Sequence, residues 1–136
     1  MQQITINAVN ISLQKGTVKD TVSQIELTHY GVAGDAHAGP WNRQVSLLGT
    51  ESIARFETAA GRKVKPGEFA ENLTTTGMEL WQLHPLDRFA SGDIELEITQ
   101  IGKECHGSNC AIFREVGACV MPKEGIFCRV LSTGIL

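Results

Sequence analysis

At 136 residues, with 42% hydrophobic and 20% charged positions, the chain has the length of one domain and can bury a core without disulfide staples. A net charge of −3 excludes the broad basic face that nucleic acid or an anionic membrane demands, so any anion site must be local. Met1-Gln2-Gln3-Ile4 lacks the basic and apolar regions of a secretory signal and no run is long enough to cross a bilayer, which predicts a cytoplasmic protein with reduced cysteines.

From Gln3 to Leu13 the apolar positions Ile4, Ile6 and Ala8 give way to Val9, Ile11 and Leu13, a phase shift that predicts a bent or bulged strand. The segment Lys15-Gly16-Thr17-Val18-Lys19 reads as a turn with two solvated cations, and Val22, Ile25 and Leu27 as another short strand. Residues 31–40 are rich in glycine and alanine and hold two strong polar groups, Asp35 and His37. At i, i+2 in an extended segment these point the same way and can share a pocket; a tight structural loop is the alternative. Arg43 then enters a strand in which Val45 and Leu47 alternate with Gln44 and Ser46, as either a surface ion pair or an anion fork.

Thr50 is placed to cap a helix with Ile53, Phe56 and Ala60 on its apolar stripe and Gly61 as its stop. Residues 68–77 gather acids, an amide and hydroxyls, which either cap and turn the chain or present Glu71, Asn72 and Thr74 to a phosphorylated or polyhydroxylated ligand. Met78, Leu80, Leu83 and Leu86 are expected to supply core. Ile94, Leu96 and Ile98 alternate with Glu95, Glu97 and Thr99, a strand with one buried face that runs into Gly102-Lys103-Glu104-Cys105-His106-Gly107. Residues 110–116 suit one or two helical turns, and residues 125–131 a final strand in which Cys128 is a core thiol.

Of the four cysteines, Cys105 is the candidate reactive atom. Lys103 and His106 flank it and favour the thiolate, the form that attacks electrophiles and ligates metals. Cys110 and Cys119 have apolar or neutral nearest neighbours.

Taken in order, these residues resemble the MOSC domain, named for the C-terminal domain of molybdenum cofactor sulfurases, in its small prokaryotic form. The resemblance rests on the blocks at residues 31–39, 43–48, 67–74 and 96–105. It implies a mostly β, barrel-like fold with a few short helices, spanning residues 1–136 as a single domain. It also implies binding of the molybdenum cofactor (molybdopterin), or sulfur transfer to it through a cysteine persulfide, in cofactor maturation or delivery. The family's cysteine falls on Cys105, as the sulfur that meets molybdenum, and its other motifs on Asp35, His37, Asn72 and Thr74. Arg43, Gln44, Glu71 and Lys103 complete the expected cofactor-binding set, with Lys15 as a possible outer charge. The expected partners are the pterin and a sulfur-donor or cofactor-biosynthesis protein, with no nucleic acid and no membrane; a second subunit is allowed.

The chain departs from the pattern at Asn42, where histidine is common, at Ala70, where glycine is usual, and at residues 83–87, which lack the glycine expected before Asp87. It also stops at residues 133–136, where a further turn and strand are expected, leaving an edge for a neighbouring subunit or fused domain. The competing functions are a carrier that passes cofactor or sulfur without turnover, a small zinc module using Cys105, His106 and Cys110, and a molybdenum-dependent reductase of N-hydroxylated compounds. The zinc spacing lacks a second cysteine pair.

Overall fold

The computed structural model describes residues 2–14, 17–102 and 124–136. Lys15, Lys103, Cys105, His106, Cys110 and Cys119 lie outside the described residues, as do the helical turns expected at 110–116.

In chain order the elements are β1 (Gln2–Gln3), β2 (Thr5–Ile11), β3 (Asp20–Val22), β4 (Glu26–Thr28), β5 (Gly31–Val32), β6 (Val45–Gly49), α1 (Thr50–Ala60), β7 (Leu73–Thr76), a 3-10 turn (Leu80–Gln82), β8 (Arg88–Ser91), β9 (Ile94–Ile101), β10 (Ile126–Ser132) and β11 (Gly134–Ile135). The fold is mostly β. Eight strands form one sheet in the order β1-β8-β9-β10-β6-β7-β2-β3, and β11-β4-β5 form a second. The large sheet is not closed: β1 and β3 stand at its two ends. β6 and β7 run parallel, which a hairpin cannot connect, and α1 lies in the crossover between them.

The alternation along β9 places Ile94, Leu96 and Ile98 in the main core with Ile126, Cys128 and Val130 of β10, while Leu27 and Val32 enter the same cluster from the small sheet. On the other side Ile53 and Phe56 of α1 pack with Leu48, Phe69 and Phe127. Both faces of β6 are therefore covered, and all five of its residues are buried. Cys128 is a core thiol whose pKa burial pushes up, with the Glu97 charge adding to the shift.

Several expectations needed correction. The bulge in β2 is present as a register slip against β7 between Ile6 and Ala8, and past it Val9 enters the core with Ile11 packed against it as expected, but Asn10 and Ser12 are buried as well and Leu13 is 84% exposed. Thr50 is not a cap: Gly49 is the N-cap without a side-chain bond, and the Thr50 hydroxyl meets that of Thr76. Gly61 does end the helix, in the left-handed conformation with its N–H donating to the Glu57 carbonyl. Leu86 is 73% exposed rather than core, because its left-handed backbone (φ 79°) turns the side chain out. Lys19 is not a solvated cation; it is fully buried.

Candidate functional site

The site is built from the end of β2 outward. Asn10 and Ser12, two residues apart, face the interior and anchor two polar networks.

Ser12 donates its backbone N–H to Asp35 Oδ1 at 3.0 Å. Lys19 Nζ donates to the same oxygen at 2.8 Å and to Ser12 Oγ at 3.1 Å, and lies 3.2 Å from His37 Nδ1. His37 donates its backbone N–H to Asp35 Oδ2 at 3.0 Å. Asp35 and His37 thus share a pocket as expected, through a turn closed by the Asp35 side chain rather than through extended alternation. Burial pushes the Asp35 carboxyl up, yet the hydrogen bonds it accepts from Lys19 and from the backbone amides of Ser12 and His37 win and hold it well below the usual carboxylate range. Lys19 is drawn in by the turn at residues 65–70: its N–H donates to the Gly67 carbonyl at 2.8 Å. Gly67 has φ 84°, and a Cβ there would land on the Lys19 carbonyl oxygen, so only glycine admits this approach.

In the second network Asn10 Nδ2 donates to the Glu71 carbonyl and to Thr74 Oγ1, both at 3.1 Å, and Asn10 Oδ1 accepts from Thr21 at 2.7 Å. Asn72 donates to the Asn10 carbonyl at 3.1 Å and accepts from the Ser46 amide and hydroxyl at 3.1 and 3.2 Å. Thr74 donates to Glu71 Oε2 at 2.8 Å, while Glu71 Oε1 is buried with no hydrogen bond completed. Burial raises the Glu71 pKa against the opposing pull of nearby backbone amides and Thr74. Glu71, Asn72 and Thr74 are turned inward and tie β2, β6 and β7 together.

The outward-facing groups stand around Trp41. Its ring lies parallel to that of His37 with centroids 6.4 Å apart, and its Nε1 donates to the His37 carbonyl at 2.7 Å. The Arg43 guanidinium sits 4.6 Å from the Trp41 ring centroid and 5.7 Å from that of Phe127. Gln44 instead braces the frame, donating to the His29 carbonyl at 2.8 Å and accepting from the Val130 amide at 3.1 Å. A groove of about 530 Å3 begins at Trp41 and is lined further by Asn42, Leu86, Thr99 and Arg129. Glu97, which also lines the groove, accepts from Arg88 and Arg129, its cross-strand partners on β8 and β10.

Of the expected site residues, the fold brings Asp35 and His37 together and sets Arg43 on the Trp41 ring that stacks on His37, keeps Gln44, Glu71, Asn72 and Thr74 within the frame, and leaves Lys103 and Cys105 outside the described residues. Ser12, Lys19 and Trp41 were missed. The one available signal was Asn10 within β2, since asparagine is depleted in strands, with Ser12 two residues on, just past its end.

A family model for the MOSC domain matches residues 33–136. No curated protein matches the chain in sequence. Among solved structures, the YuaD protein from Bacillus subtilis superposes with a TM-score of 0.76 at 18% identity, over 98% of this chain and 90% of that one. YiiM from Geobacillus stearothermophilus gives 0.73 at 19% identity, over 98% and 70%. YiiM from Escherichia coli gives 0.66 at 19%, over 98% and 64%. These identities speak to the fold, and the matched residues include the turn at 33–43, β6, the 67–74 block and β9. The chain belongs to the MOSC domain family, a family associated with the molybdenum cofactor.

Proposed function

We propose that the chain binds a pterin-based molybdenum cofactor at the turn carrying Asp35, His37 and Arg43, and that Cys105 is the sulfur that meets the metal or delivers sulfur to it. The observation that carries this reading is Arg43: its guanidinium is stacked against Trp41 and Phe127 and has no carboxylate partner among the described residues. A planar fork held by aromatic rings and left without an acid suits a phosphate or another oxyanion. His37 Nε2, on a side chain 24% exposed, likewise has no partner among the described residues. The groove that shares Trp41 falls within the roughly 300–1,000 Å3 typical of small-molecule sites.

When bound, the cofactor supplies a molybdenum centre able to exchange oxygen and sulfur ligands. The chain's own residues would do the holding: Arg43 takes the oxyanion, His37 orients an acceptor atom, and Trp41 walls the groove. In sulfur transfer the Cys105 thiolate attacks the outer sulfur of a donor persulfide, a new S–S bond forms, the donor S–S bond breaks, and the donor leaves as a thiolate. That leaves Cys105 as the persulfide, with no net oxidation.

A carrier without turnover is the second reading. It is favoured by the inward commitment of Glu71, Asn72 and Thr74, which leaves few side chains free for proton transfer. Molybdenum and pterin content per chain after anaerobic purification, compared with Arg43→Ala and Cys105→Ser, tests the assignment. Co-purification in the wild type with loss in Arg43→Ala is expected; cofactor content equal in a folded Arg43→Ala protein would overturn it. Release of a stoichiometric load to an acceptor, without catalysis, selects the carrier.

A further inference from the structure

We infer that Lys19 is a positioning residue that fixes His37 as the neutral tautomer with its proton on Nε2, so that the site presents an N–H donor there rather than a base. A lysine ammonium has three N–H donors and no acceptor. Buried Lys19 has three acceptors in reach: Asp35 Oδ1 at 2.8 Å, Ser12 Oγ at 3.1 Å and His37 Nδ1 at 3.2 Å. Each proton has one destination provided that Nδ1 carries a lone pair. A proton on Nδ1 would set two donors face to face at that distance and leave a buried ammonium proton without an acceptor, a costly arrangement. A flipped ring would set a carbon against the ammonium with the same result.

Asp35 does not compete for Nδ1. Its Oδ2 is 3.7 Å away, too far for a hydrogen bond, and already accepts the His37 amide at 3.0 Å. Lys19 and Asp35 form a fully buried ion pair at 2.8 Å, and the lock holds while that pair is intact. The groups facing the imidazole are Lys19 and Asp35 on one edge and the Trp41 ring stacked alongside, with Arg43 beyond Trp41. His37 therefore offers one N–H to a ligand oxygen, of the phosphate, carbonyl or metal-oxo class, and the identity of that ligand rests on the cofactor reading above.

The tautomer is read in the free protein, without cofactor, so failure here and failure of cofactor binding are separate results. Long-range 1H–15N correlation spectra of 15N-histidine-labelled protein at pH 7 distinguish a protonated from an unprotonated ring nitrogen, and His37→Gln identifies the His37 signals by their loss. Protonated Nε2 with unprotonated Nδ1 is expected. In Lys19→Met, with folding checked by circular dichroism, the two nitrogens should shift towards the averaged values of interconverting tautomers. Should that variant not fold, the wild-type spectrum decides alone. A proton on Nδ1, an imidazolium at pH 7, or an unchanged tautomer in folded Lys19→Met would overturn the inference.

Discussion

Replacing Ala70 with glycine is expected to stabilise the protein, whereas the same exchange at Ala54 is expected to destabilise it. Ala70 has φ 66°, in the left-handed region, where an L-residue with a Cβ carries about 1–2 kcal/mol of strain. Glycine relieves that strain but has a freer unfolded chain, which costs about 0.5–1 kcal/mol. The methyl group is only half-buried and the backbone bonds at this position, Ala70 N–H to Gly67 and Ser46 Oγ to the Ala70 carbonyl, survive the change. The net is a gain of about 0.5 kcal/mol. Ala54 is exposed in the interior of α1, where glycine costs about 0.8–1.0 kcal/mol. With a urea m-value of about 2 kcal/mol/M, the two midpoints should move in opposite directions by about 0.25 M and about 0.5 M at unchanged slope. A midpoint for Ala70→Gly that falls as far as that of Ala54→Gly would show that the left-handed alanine stores no strain.

Arg43→Ala should weaken binding of phosphate or of the pterin cofactor by about 1.5–3 kcal/mol, the worth of a charge-assisted bond, measured by calorimetric titration; unchanged affinity in a folded variant would reduce Arg43 to a stacking residue. Because the Asp35 pKa is depressed in the folded state, its contribution is fully present above the unfolded value of about 3.9 and is lost progressively as pH falls below that value towards the depressed folded one. Glu71 has the opposite sign: its raised folded pKa means that the native state holds the extra proton, so stability declines as pH rises above the unfolded value of about 4.3. Urea midpoints from pH 3 to 7 should therefore show a steeper acid limb in Glu71→Gln and a shallower one in Asp35→Asn. Cys105 is expected to alkylate before Cys110, Cys119 and the buried Cys128, read by mass spectrometry after limited labelling; earlier labelling of Cys110, with normal sulfur loading in Cys105→Ser, would move the reactive centre.

The period-2 pattern of β9 and of β10 was legible because the alternating apolar residues of each put one face into the main core, whereas the burial of Glu97 and Phe127 on the opposite faces is not reported by periodicity. Gly61 was legible because helix termination is local chemistry. The two departures from the family's glycine pattern, at Ala70 and at Leu86 before Asp87, turn out to be the two non-glycine residues with positive φ among the described residues. The sequence pattern therefore carried backbone conformation even where glycine itself was missing. Lys19 was illegible for a different reason. A lone lysine beside a turn looks solvated, and what buries it is the meeting of three segments distant in sequence: the end of β2 through Ser12, the turn at Asp35 and His37, and the carbonyl of Gly67. Thr50 failed as a cap because a partner across the fold, Thr76, claimed its hydroxyl. Local rules place elements; polar networks that close over long loops depend on the assembled topology.

The buried Lys19–Asp35 pair is a poor device for stability alone. Removing two charges from water costs several kcal/mol per ion, and replacing such a pair by uncharged residues is often neutral or stabilising by about 1–4 kcal/mol, whereas removing one partner costs about 3–5 kcal/mol. Lys19→Met combined with Asp35→Asn keeps an acceptor for the Ser12 amide but forfeits one of the two backbone bonds at Asp35, a loss of about 1–3 kcal/mol. These opposed effects place the double variant near the wild type and above either single variant, a non-additivity that a double-mutant cycle reads directly. Its cofactor affinity should nevertheless fall, because His37 loses the ammonium that sets its proton. A double variant as unstable as the single ones would mean that the pair is there to hold the fold. Wild-type-like stability with weakened binding would mean that the chain tolerates a buried charge pair for the sake of the imidazole it orients.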